Sequence, residues 1–177
     1  MKHFLVKCLY VFSFVSLPAY VWAQDSTITW QSLKQENFSI DYPSNWRVDQ
    51  SGNMNTSLLL FSPLNSSSDA FSENINLMVQ AVPDDATLEA FVASAEESLK
   101  ATIVDCTILS SETVGKGIDA YQVMHFEGKF GKFLLHWEQH SRVKNGAAYV
   151  LTFTAEQTEV KSYSAVSEQI LTSFKVN

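Results

Sequence analysis

Cysteine is nearly absent from this chain, and that absence sets the first limits. The 177 residues include only Cys8 and Cys106, and Cys8 lies in an N-terminal leader, so the exported form would keep one thiol and no internal disulfide. That is unusual for a small exported domain of eukaryotic type and permissible for a bacterial periplasmic one. Basic residues are also scarce, with 12 Lys and Arg against 19 Asp and Glu. Two of the 12, Lys2 and Lys7, leave with the leader, so 10 basic residues face 19 acidic ones, a net charge of −9. Such a balance disfavours nucleic acid and anionic lipid surfaces as partners. A Gly-x-Ser-x-Gly elbow is missing, which argues against a serine hydrolase. Repeats, low-complexity tracts and alternating βαβ units are missing as well.

What is present begins with the leader. Lys2 and Lys7 make a basic start, Cys8 to Leu17 an apolar core, and Val21-Trp22-Ala23 a cleavage site, so residues 1–23 are expected to be a signal peptide. A spanning helix needs about 20 apolar residues, more than this segment supplies between Lys7 and Pro18. Cys8 sits at the beginning of the apolar core rather than after it, which does not fit a lipoprotein anchor. Residues 24–177 are then one domain, expected in a bacterial periplasm or secreted, with no stable membrane insertion after cleavage. Asn37, Asn55 and Asn65 open formal glycosylation sequons, which Asn/Ser-rich loops also produce by chance.

Phe38, Ile40 and Tyr42 alternate with polar residues until Pro43, and Ile75 to Val82 alternates again, so both read as half-buried strands. Trp46 to Asp49 and Leu58 to Phe61 are shorter strands, and Asn65 to Ser72 is an exposed loop. From Thr87, an N-cap, Leu88, Phe91, Val92, Ala95, Leu99 and Ile103 recur at helical spacing. A second amphipathic helix starts near Thr158 and carries Val160, Tyr163, Ile170, Leu171 and Phe174. Between the helices, Gly128-Lys-Phe-Gly131 reads as a turn that pairs Glu127 with Lys132, Phe126 with Phe133, Met124 with Leu135 and Gln122 with Trp137. Lys144-Asn-Gly146 reads as a second turn, with two residues or three. The three-residue form is preferred because it sets Trp137 against Phe153 and Gln139 against Leu151. The fold class is α+β, a twisted, mainly antiparallel sheet flanked by two principal helices.

Phe38-x-Ile-x-Tyr-Pro-x-x-Trp46, the Asn145-Gly-Ala-Ala-Tyr-Val-Leu-Thr152 strand and the terminal Ser173-Phe174 resemble the PsbP-like superfamily, including its bacterial DcrB-like exported members. The resemblance extends over about residues 30–176. It implies a twisted antiparallel sheet with flanking helices, no shared catalytic motif, no cofactor, and roles in binding proteins or assisting assemblies. No segment matches the photosystem II contacts of the plant-type members.

One constellation invites metal chemistry: His136-Trp-Glu138-Gln-His140 with His125. On a strand His136 and His140 stand about 13 Å apart, too far for one ion with bonds of about 2 Å. The expected register puts His125 opposite Leu134 and diagonal to His136 at about 7 to 8 Å, with Glu138 as a third ligand. The alternative is a solvated face with cross-strand pairs, Asp119 with His140 and Glu127 with Lys132. Cys106 reads as a buried small hydrophobe. Asp84-Asp85 and Glu96-Glu97 lack the spaced oxygen donors of a calcium loop and read as solvated helix start and helix face. Trp137 is expected in the core, Trp46 over the sheet edge, and Trp30 as a core cap or an exposed contact.

The readings that follow are a noncatalytic periplasmic interaction or assembly-assisting module holding an envelope or secreted protein, a small-ligand or metal-binding envelope protein, or an immunity protein or chaperone for a secreted toxin.

Overall fold

The computed structural model describes residues 28–177; the expected leader lies outside the described residues. In chain order the elements are β1 (Trp30–Lys34), β2 (Phe38–Pro43), β3 (Arg47–Asp49), β4 (Leu58–Phe61), β5 (Asn74–Ala81), α1 (Leu88–Thr102), β6 (Val104–Val114), β7 (Tyr121–Phe130), β8 (Phe133–Lys144), β9 (Ala147–Glu156), α2 (Val160–Ser173) and β10 (Lys175–Val176). Seven strands form one antiparallel sheet in the order β3-β4-β5-β9-β8-β7-β6, and β1-β2-β10 form a smaller one. The small sheet joins the terminal motifs: Val176 pairs with Phe38, and the Phe38 and Phe174 rings lie 6.0 Å apart. β1 and β10 were not expected from the sequence, being short and only partly buried.

The α+β class holds, with one helix on each face of the large sheet. Beneath α2 and the small sheet lies a core that includes Ile40, Leu60, Ile75, Leu77, Leu151, Phe153, Ile170 and Leu171. Beneath α1 lies a second, smaller core of Val92, Met124, Phe126, Leu135 and Trp137. Thr87 caps α1, its Oγ1 accepting from the Ala90 amide at 3.1 Å.

Both expected hairpin registers are corrected. In β7–β8 the turn is Gly131-Lys132, so Glu127 pairs with His136 rather than Lys132, and Phe126 with Trp137 rather than Phe133. Met124 meets Gln139 and Gln122 meets Ser141. The shift is four residues, an even number, so every side chain keeps its expected face. Gly131 has φ 59°, whereas Gly128 lies inside β7, where an added Cβ would collide with Ile103 and approach the Val104 carbonyl oxygen to 2.9 Å. Two glycines with different physical reasons thus look like one turn signal.

In β8–β9 the turn is the two-residue Asn145-Gly146, both in the left-handed region at φ 55° and 72°, as a type I′ hairpin demands. Trp137 therefore meets Thr154, Glu138 meets Phe153 and His140 meets Leu151. This odd shift turns Tyr149, Leu151 and Phe153 to the face opposite Trp137. The apolar argument for the other register failed because this sheet is buried on both sides. With a hydrophobic layer available on either face, turn chemistry decides the register.

Candidate functional site

A groove of about 480 Å³ runs between α2 and the outer strands β7 and β8. It exists because α2 packs over β9 and β2, leaving the same face of β7 and β8 without a helix above it. Along β8, Leu135 and Trp137 turn into the core beneath α1, so the alternating His136, Glu138 and His140 are delivered to the groove. Val123 and His125 of β7 join them, Phe153 of β9 forms an apolar floor, and Val160, Ser164, Ser167, Glu168 and Thr172 of α2 supply the far wall.

His125 stands directly opposite Glu138, not Leu134, and is diagonal to both His136 and His140. The His125 and His136 rings lie 5.7 Å apart, centre to centre. The three residues singled out from the sequence as metal candidates, His125, His136 and Glu138, thus share one patch. The expected cross-strand pairs are replaced: Glu127 meets His136, with Oε1 3.1 Å from Nδ1, and His140 Nε2 meets Glu138 Oε1 at 2.9 Å. Asp119 instead lies 3.6 Å from the Lys144 ammonium. Burial works against the charged form of Glu138, but the hydrogen bond from His140 and the neighbouring His140, His125 and His136 rings outweigh it and hold its pKa below the ordinary carboxylate value. Among the described residues no three His, Cys, Asp or Glu donors already converge on one point.

The remaining sequence candidates are dispersed. Cys106 is half-buried against the smaller core, and burial pushes its thiol pKa up, which suits a packing role. Glu96 is not merely solvated: its Oε1 accepts from Ser111 Oγ at 3.0 Å, fastening α1 to β6. Trp137 stacks on Phe126 at 5.1 Å, Trp46 meets Tyr163 of α2 edge-on at 6.3 Å, and Trp30 packs at the margin of the larger core.

Two residues escaped sequence reasoning. Glu73 is 1% exposed and accepts from Ser62 Oγ at 3.3 Å; burial pushes its carboxyl pKa above the usual value. Its phase with Ile75 and Leu77 places it on the core face, a signal the strand pattern already carried. Arg142 lies beside the groove with its guanidinium 4.5 Å from the Tyr121 ring centre and 5.8 Å from that of Phe174.

No family model matches the sequence. No curated protein matches it either. Its architecture, in contrast, is shared with solved structures. The solution structure of cyanobacterial PsbP (CyanoP) from Synechocystis sp. PCC 6803 matches with a TM-score of 0.64 at 11% identity, covering 96% of this chain and 99% of that one. The chain has the PsbP-like fold. LpqN of Mycobacterium tuberculosis, described as involved in cell envelope biogenesis, aligns at 12% identity with a TM-score of 0.59 over 86% of this chain and 93% of its own. The Saccharomyces cerevisiae Ran-binding protein Mog1p aligns at 12% identity with a TM-score of 0.57 over 85% and 96%. At these identities the likeness fixes the PsbP-like architecture and leaves function to the site itself. Among the described residues no helix is long and apolar enough to cross a membrane.

Proposed function

We propose that this chain is a noncatalytic, exported interaction module of the PsbP/DcrB-like type, a single domain over residues 24–177. It would hold a segment of an envelope or secreted protein in the groove between α2 and β7–β8. The observation that carries this reading is the groove's make-up: an open channel with an apolar floor at Phe153, three hydroxyls and the Glu168 carboxylate along α2, and His136 and His140 hydrogen-bonded to carboxylates rather than to a hydroxyl or thiol. An apolar base with a few placed polar groups suits recognition, whereas nucleophilic catalysis requires a base in contact with its nucleophile. The envelope role of LpqN and the Ran binding of Mog1p agree with an interaction role.

The test uses the whole chain, leader included, in a bacterial host. A photocrosslinking residue replaces Ser164 in the groove wall or, as control, the exposed Met78 on β5. A discrete protein adduct from position 164 and none from position 78, with the exported product beginning at Gln24, is the expected result. Equal labelling from both positions, or none from 164, sinks the groove as the contact surface. Retention of residues 1–23 sinks the leader.

A further inference from the structure

We propose that the groove also takes one borderline first-row metal cation, with Zn²⁺ or Cu²⁺ as the probe. The ligands are His125, His136 Nε2 and Glu138 Oε2. The site is independent of the protein-partner reading, since it needs only side chains of β7 and β8.

Three observations carry it. The first is spacing. With metal–nitrogen bonds of about 2.0–2.1 Å, two imidazoles on a tetrahedral ion have ring centres about 5 Å apart. His125 and His136 stand at 5.7 Å, so a small side-chain movement suffices. The second is the hydrogen bonding behind two of the three ligands, His136 and Glu138. Glu127 Oε1 engages His136 at Nδ1, which fixes that ring and leaves Nε2 free. This is the carboxylate–histidine arrangement that orients metal-binding imidazoles. His140 in turn engages Oε1 of Glu138, leaving Oε2 for an ion. The third is the direct pairing of His125 with Glu138 across the strands, which puts the carboxylate beside the two rings.

The donors do not yet converge on one point, so the ion closes the site rather than entering a finished cage. His140 lies four residues along the strand from His136, about 13 Å away, and serves as a positioning residue through Glu138. An imidazole-rich set with one carboxylate favours zinc or copper over calcium or magnesium. A fourth position faces the groove and is left to water or a group from the partner.

The experiment is calorimetric titration of the exported chain, stripped with chelator, with Zn²⁺ and then Cu²⁺. One saturable equivalent is expected. His125→Ala and His136→Ala should each weaken it at least tenfold, and Glu127→Ala by about tenfold through loss of the orienting hydrogen bond. Circular dichroism of the chelated variants checks folding, and His125→Gln or His136→Gln replaces the alanine variant at the same position if it misfolds. No saturable binding overturns the proposal. So does an equivalent that survives in both histidine variants.

Discussion

The two faces of the large sheet are covered by helices of similar length, yet the halves they create differ. Among the described residues the core shared with α2 holds fourteen buried residues and the one shared with α1 five. α2 buries Ser167, Ile170 and Leu171, and the chain beyond it is bound into the small sheet by β10. Ser173 Oγ also accepts from the Asp41 amide at 2.9 Å. α1 buries only Val92, and is held by its Thr87 cap and the Glu96 contact with Ser111. On the α1 side, Gln122 and Gln139 are buried among hydroxyl partners rather than hydrocarbon. α2 is therefore an integral part of the core and α1 a more lightly held cover. The groove takes its rigid wall from the better-anchored half, which favours a preorganised binding surface there.

The largest expected effect tests that contrast directly. Leu171→Ala in α2 should lower unfolding stability by about 2–5 kcal/mol, whereas Val92→Ala in α1 should cost about 1–2 kcal/mol, both read from denaturant midpoints. Equal losses would mean that the two covers are equally integral. Next is Gly128→Ala, which keeps an ordinary backbone conformation but drives a methyl group into Ile103 and the Val104 carbonyl at the exit of α1. Overpacking there is expected to cost about 1–3 kcal/mol. A neutral result would show that the α1 exit yields easily, widening the contrast with α2.

The smallest effect is pH-dependent and belongs to the α2 side. Glu73 has a raised pKa because it is buried, so the folded chain holds its proton more tightly than the unfolded chain does. Its contribution is complete below the unfolded carboxyl pKa and is lost as pH rises through the higher folded value. Glu73→Gln, which stays neutral, should flatten this part of the stability–pH curve and raise the unfolding midpoint at neutral pH. An unchanged curve would mean that Glu73 escapes its burial cost through local opening.

Much of this was legible along the chain. Alternation at Phe38–Tyr42 and Ile75–Ala81 predicted β2 and β5, and the spacing from Leu88 with the Thr87 cap predicted α1. The shared face of His125, His136 and Glu138 was legible too, because an even register error leaves strand faces unchanged. Less visible was the floor of the groove. Phe153 reaches the histidine face only through the two-residue Asn145-Gly146 turn, and the sequence offered a rival register that kept apolar residues together.

Local chemistry by itself determined which residues alternate, where helices start, and that the histidines share a face: these depend on periods of two and 3.6 and on caps a few residues away. Only the tertiary structure decided that both sheet faces are buried, that Gly128 is kept by a close approach rather than by a turn, and that α2 stops short of β7. Those facts depend on what packs above each strand, and a strand's own pattern does not encode its cover when apolar residues lie on both of its faces.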